Sequence, residues 1–232
     1  FWSLSSCIEN SHSSHILDEN DAVKKMEVAL ENSVKMQMLS DVPLGAFLSG
    51  GVDSSSIVAL MQKESMKPIQ TFTIGFEDSD YDESKFAKDV ASHLGTDHNE
   101  YFVTHKETLD VIPLLPHMYD EPFADPSQIP TYLVSQAAKQ KVTVALSGDG
   151  GDEIFGGYNR YFWAPDIWNK ISWMPLGVRK ILASLVLSIP ISGWSAIGKI
   201  NNILRPGVAG ISALGDKAHK LSDRLKNVHN ID

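Results

Sequence analysis

Seven consecutive residues, Ser49-Gly50-Gly51-Val52-Asp53-Ser54-Ser55, combine the types that hold a polyphosphate. Paired glycines let backbone amides close on an anion without a Cβ in the way. Ser49, Ser54 and Ser55 add hydroxyl donors, and a helical pattern starting near Ser54 aims unpaired amides at the same place. Asp53 is repelled by phosphate unless a cation lies between them, and magnesium held through Asp53 removes that repulsion. No lysine follows the glycines as G-x-x-x-x-G-K-[ST] requires, which argues against transfer of a terminal phosphate. The plainer alternative is a tight turn that caps a helix. A second string, Leu146-Ser147-Gly148-Asp149-Gly150-Gly151-Asp152-Glu153-Ile154-Phe155-Gly156-Gly157-Tyr158, sets three carboxylates among glycines. It reads as a metal or polar-ligand site, or as a hydrated acidic turn.

The elements around these strings must position them. Val23, Met26, Leu30, Val34 and Met38 recur at helical spacing over Asp21–Leu39, with Asn20 or Asp21 available as N-cap. Leu44–Leu48 is too short for a helix and suits a buried parallel strand. Ile57, Val58, Leu60 and Met61 mark the helix after the first loop. Ile69–Gly75 is expected as a strand, Glu83–Leu94 as a helix stopped by Gly95, and Tyr101–Val103 as a strand. Thr131–Lys139 is expected as a helix and Val142–Leu146 as a last buried strand. Strands alternating with helices predict an α/β fold with a doubly wound, mainly parallel sheet. Ligands of such sheets bind at the carboxyl ends of the strands, where both glycine-rich loops begin.

Composition narrows the function classes. The chain has 232 residues, 43% hydrophobic and 21% charged, with a net charge of −9. So acidic a chain does not fit a nucleic-acid coat or a polybasic membrane binder. A single cysteine, Cys7, excludes an intrachain disulfide and a multi-cysteine zinc site, and fits a reducing cytosol. Residues 1–169 carry 11 basic and 26 acidic side chains, whereas residues 170–232 carry 9 basic and 3 acidic. The change falls among Pro165, Trp168, Trp173 and Pro175. It marks either a boundary between an acidic domain and a basic helical appendage or simply a solvated face. The charge-free stretch Ile181–Gly198 is broken by serines, Pro190 and Gly193, and is expected as a buried helix ending at Pro190 rather than a membrane span. The eight histidines lack the clustering of a metal site, and G-x-S-x-G of a serine hydrolase is absent. Asp120–Asp125 reads as an acidic turn.

The string S-G-G-x-D-S resembles the pyrophosphate loop of ATP pyrophosphatases, which split ATP between its α and β phosphates. With the second string, Asp41-Val42-Pro43-Leu44-Gly45 and Thr71-Phe72-Thr73-Ile74-Gly75-Phe76, residues 1–165 resemble the synthetase half of glutamine-dependent, class B asparagine synthetases. Phe1-Trp2-Ser3-Leu4 is similar to the linker that follows the glutaminase half. The resemblance implies an adenine nucleotide alpha hydrolase-like, PP-loop fold with a C-terminal helical appendage. It divides the chain into a linker (1–18), an ATP-binding synthetase domain (19–165) and a partial helical segment (166–232). Ser49, Gly50, Gly51, Asp53, Ser54 and Ser55 then hold the pyrophosphate of ATP, and Asp53 and Asp152 hold Mg2+. Phe47, Ile74, Ser147 and Gly148 contact adenosine, largely through backbone atoms. Asp149 stands on the acceptor side, where many members have glutamate. Asp120–Asp125 also resembles a family loop near the nucleotide.

The implied reaction makes asparagine from aspartate, ATP and ammonia through β-aspartyl-AMP, in the cytoplasm, with glutamine as nitrogen source when a glutaminase domain is attached. Nucleic acid and membrane are not among the implied partners, and a homodimer is compatible with the pattern. Starting at Phe1, the chain reads as a piece of something longer that makes no asparagine by itself. The Asp149 departure leaves open a related amidotransferase or cyclising synthetase that adenylates another carboxylate. A truncated module that binds ATP without turnover is the third reading.

Overall fold

A computed structural model describes residues 2–11, 14–76, 82–194, 196 and 214–227. Phe1, His12 and the end of the charge-free stretch at residues 195, 197 and 198 lie outside them. The described chain forms two compact units, Phe1–Ile154 and Phe155–Asp232.

In the first unit four strands, β1 (Leu44–Phe47), β2 (Gln70–Phe76), β3 (Asp97–Val103) and β4 (Val144–Leu146), form one sheet in the order β3-β2-β1-β4. Every pairing is parallel, with Ala46 beside Thr71 and beside Leu146, and Phe72 beside Asn99. Parallel strands need crossovers, and helices supply them on both faces. On one face Ala46, Leu48 and Ile69 pack with Val34 of α2 (Glu19–Gln37), Val58 and Met61 of α3 (Val52–Glu64), and Ala87 and Ala91 of α4 (Ser84–Leu94). On the other, Phe72 and Phe47 pack with Val134 and Ala138, and Ile74 and Phe76 with Leu133. These last helical residues belong to α7 (Gln128–Ala138), which follows α5 (His105–Val111) and the short α6 (Leu115–Met118). Phe72, Leu48, Met61 and Val58 are fully buried, and burial of such a side chain contributes about 1.5–3 kcal/mol each.

Local chemistry sets the boundaries. The N-cap of α2 is Asp18, not Asn20 or Asp21: its extended backbone lets Oδ1 accept the Asp21 amide at 2.8 Å. Thr104 and Glu107 form a reciprocal capping box at the start of α5. Gly95, left-handed at φ 71°, ends α4 and donates to Ala91 O at 2.9 Å. Within the segment expected as a linker, α1 (Leu4–Ser11) is helical and buries no residue. β4 is shorter and less buried than expected. It pairs only with β1, so Val144 on the edge is 41% exposed.

The second unit contains α9 (Asn159–Ile171), α10 (Leu176–Ser188) and α11 (Leu214–Asn227), after α8 (Gly151–Phe155), which spans the divide. α9 runs through Pro165, so the change in composition falls inside a helix and the units part earlier, at Ile154/Phe155. α10 ends at Ser188, ahead of Pro190, but it is not the buried helix expected: Arg179 and Ala183 are buried while Ile181 and Leu185 are exposed. Arg179 is no solvated charge. Its guanidinium lies 5.1 Å from the centre of the Trp168 ring and Nε donates to Met174 O at 3.2 Å. Gly215 of α11 packs against Ile191, and His219 Nε2 lies 3.0 Å from Ile189 O. Among the described residues no single helix is long and apolar enough to cross a membrane; Tyr161–Ile171 and Leu176–Ser188 together are, but they are bent by 113°.

Candidate functional site

The chain moves outward from β1 to β2 and β3, then returns to the other side of β1 with β4. The carboxyl ends of β1 and β4 therefore flank a topological switch point, where open α/β sheets form their ligand crevice. Both glycine-rich loops leave from there.

The first loop is tied by its own hydroxyls. Ser49 N donates to Ser54 Oγ at 3.2 Å, the two serine oxygens lie 3.0 Å apart, Ser54 Oγ donates to Gly51 O at 3.3 Å, and Gly51 N donates to Ser49 Oγ at 3.3 Å. Gly50 sits at φ 81°, where an added Cβ would stand 2.7 Å from the Ala87 nitrogen and from Phe86 carbons. The apex thus rests on the backbone of α4. α3 begins at Val52, two residues earlier than expected, with Gly51 at the N-cap and no side-chain cap bond. That start leaves the helix amides free of a competing side-chain oxygen and puts Asp53 in the first turn, where the helix dipole favours a carboxylate.

The second loop lies directly on this helix start. A Cβ on Gly148 would stand 2.6 Å from Ser54 N and 2.8 Å from the Asp53 carbonyl carbon. One on Gly151 would collide with Asp53 Oδ2. The Asp53 carboxyl therefore rests against Gly151, the residue that precedes Asp152, and both aspartates are half-buried. Among the described residues no group of three or more His, Cys, Asp or Glu could hold a metal. Two carboxylates completed by phosphate oxygens and water are what magnesium ordinarily takes, so the pair fits that ion.

The other expected residues divide. Phe47 and Ile74 are half-buried and packed into the core on the face away from α3 and α4, leaving their backbone for any nucleotide contact. Ser147 Oγ donates to Asp149 Oδ2 at 3.0 Å and accepts the Asp149 amide at 3.4 Å, so this pair is engaged within its own loop. Ser55 parts from the other serines. Its hydroxyl is buried without a hydrogen-bond partner, and the residue lines a groove of about 530 Å³ with Val52, Ser56, Val90 and His93. Asp125 accepts the Ser127 amide at 2.9 Å, a turn-forming role, and that bond holds its carboxyl below the ordinary range.

One residue near the site escaped the sequence reading. Asp82, at the end of the β2–α4 connection, accepts the Ser84 amide at 3.1 Å. Its bonds to Ser84 hold its carboxyl below its ordinary value. Its signal was Asp-x-Ser ahead of an apolar helical pattern.

The chain is similar to known proteins. The family model described as asparagine synthase matches residues 25–229. The chain is 40% identical over 173 residues to asparagine synthetase [glutamine-hydrolyzing] 1 of Bacillus subtilis, covering 75% of this chain and 27% of that protein. It is 45% identical over 144 residues to putative asparagine synthetase [glutamine-hydrolyzing] 2 of Methanocaldococcus jannaschii, covering 62% and 28%. It is 37% identical over 186 residues to asparagine synthetase B [glutamine-hydrolyzing] of Escherichia coli, covering 73% and 32%. The matched region is thus about three-tenths of each relative's length. With the family model running from within α2 to beyond α11, and the two loops at the switch point inside the match, the chain belongs to the asparagine synthase family.

Proposed function

We propose that this chain is the ATP-binding part of an enzyme that makes asparagine from aspartate, ATP and ammonia. The observation that carries the reading is the seating of Gly148 and Gly151 on Ser54 and Asp53, which joins a phosphate-type loop to an acidic loop at the sheet's switch point. The amides at the start of α3 and the Ser49 and Ser54 hydroxyls bind the β and γ phosphates. Asp53 and Asp152 hold Mg2+, which when bound offsets the negative charge of the phosphates. Residues Phe47, Ile74, Ser147 and Gly148 border the adenosine through their backbone.

The loop keeps the pyrophosphate in line as the side-chain carboxylate of aspartate attacks the α phosphorus. The bond from that phosphorus to the bridging oxygen breaks, pyrophosphate leaves, and β-aspartyl-AMP forms. Ammonia then attacks the acyl carbon, AMP departs and a proton is released. The protein's part is positioning and charge stabilisation. In the parent protein a glutaminase domain supplies ammonia from glutamine, the setting is cytoplasmic, and a homodimer is the assembly to look for.

Asp149 gives the second reading its support. It stands where many members of the family have glutamate, and its shorter side chain accepts a bond from Ser147, so the acceptor side can differ from that of those members. Exchange of labelled pyrophosphate into ATP, measured in the intact natural protein with magnesium, separates the readings. Aspartate-dependent exchange is expected. Exchange only with another carboxylic acid would transfer the reading to a related amidotransferase or cyclising synthetase, and ATP binding with no exchange would leave a non-catalytic nucleotide module.

A further inference from the structure

The loop apex, Gly50, has no side chain through which to hold its place. Gly50 is left-handed, and the atoms nearest its missing Cβ are the Ala87 nitrogen and the Phe86 carbonyl and β carbons, all at 2.7 Å. The wall behind the loop is therefore the first turn of α4, and the loop's place depends on where that turn is held. Ordinary N-capping does not hold it: Glu83, at the N-cap, has helical backbone angles (φ −92°, ψ −1°) and makes no side-chain cap bond. Asp82 does the work instead. Its Oδ1 accepts the amide of Ser84, the first residue of α4, and lies beside Gly75 of β2, 3.2 Å from where a Cβ on that glycine would stand. One carboxylate thus holds the start of the helix on which Gly50 leans, beside the end of a central strand. Ser84 and Ala87, on the inner side of that turn, are 4% and 0% exposed, so the turn is pinned from below as well.

We infer that Asp82 is a positioning residue for the phosphate-binding loop, acting through the first turn of α4 without touching the nucleotide. The inference rests on the ATP reading above. It predicts an effect confined to ATP. Asp82→Ala lets the first turn of α4 shift, and with it the backbone against which Gly50 is set, while the acceptor side of the second loop stays in place.

The test uses pyrophosphate exchange and Mg-ATP titration on the intact natural protein, with Asp82→Ala and Asp82→Asn. Asp82→Ala is expected to raise KM for ATP about tenfold, the scale of one lost charge-assisted cap, with kcat and KM for the carboxylate within about twofold. Asp82→Asn keeps an oxygen for the Ser84 amide and is expected to return KM for ATP to within about threefold of wild type. If Asp82→Ala does not fold, Asp82→Ser takes its place, since its shorter, neutral hydroxyl removes the charge-assisted bond to the Ser84 amide. A folded variant with unchanged KM for ATP, or with both KM values raised alike, would overturn the inference. Failure of the wild-type protein itself to bind Mg-ATP would instead sink the ATP reading, and this inference with it.

Discussion

The two glycine-rich loops stand side by side at the switch point but are fixed by opposite means. The first is held by what it has: Ser49 and Ser54 bond one another and the Gly51 backbone, and a thirteen-residue helix follows. The second is held by what it lacks. Gly148 and Gly151 fit against Ser54 and Asp53 because neither carries a Cβ, and the helix after them has five residues. The first loop is a prebuilt cradle, whereas the second is a lining whose position depends on the first. Changes to the first should be graded, one hydrogen bond at a time, and changes to the second should be steep.

The sharpest way to break this contrast is Gly148→Ala. The new methyl meets the Ser54 backbone nitrogen at 2.6 Å, and a backbone cannot rotate away as a side chain can. We expect loss of more than about 100-fold in kcat/KM for ATP and about 1–3 kcal/mol of stability, measured by exchange kinetics and urea unfolding. Gly151→Ala meets mainly the Asp53 side chain, so its activity loss should be comparable to that of Asp53→Asn, with a smaller loss of stability. Ser54→Ala removes three of the loop's four internal bonds without adding bulk. It should raise KM for ATP about tenfold and leave the unfolding midpoint nearly unchanged. Equal losses from Ser54→Ala and Gly148→Ala would erase the distinction between cradle and lining.

The smallest effect lies away from both loops and serves as a control. His98 Nδ1 lies 2.9 Å from Thr71 Oγ1, Nε2 is buried without a hydrogen-bond partner, and burial holds its pKa below the ordinary 6.5. The folded protein therefore keeps this imidazole neutral where the unfolded chain takes up a proton. Stability is full above the ordinary value and falls as pH drops through it, until the folded form is protonated as well. His98→Asn should flatten that decline between about pH 8 and pH 5 in urea titrations, with KM for ATP unchanged at neutral pH. Asp82, Glu107 and Asp125 act in a lower window. Their lowered values mean stability present above the ordinary carboxylate range and lost as pH falls through it.

The fold was largely legible because its signals are local and repeated. Phe72, Ile74 and Phe76 alternate as a strand requires, Gly95 ends its helix, and strands and helices alternate to a parallel sheet. What stayed hidden depends on contacts between distant segments. Nothing in the sequence near Asp53 says that its carboxyl rests on Gly151, or that Gly50 leans on Ala87. Ser55 shares the residue type of Ser49 and Ser54, but its place on the helix turns its hydroxyl into a buried, unpartnered position. The N-cap of α2 was missed because three neighbouring residues, Asp18, Asn20 and Asp21, can all cap a helix, and only the backbone angles choose among them. Pro165 shows a further limit of local signals, since a helix can pass through a proline if it loses one backbone bond.

The support of Gly50 by main-chain atoms has a consequence for how this surface can change over evolutionary time. Phe86 meets the loop through atoms that nearly every amino acid possesses, and the residue is 63% exposed. Position 86 is thus free to drift among side chains that keep the helix. Gly50, pressed on that same main chain, has no such latitude. The boundary between the two is a line across which mutational tolerance should change abruptly, drawn where a permissive surface begins directly behind an unyielding loop.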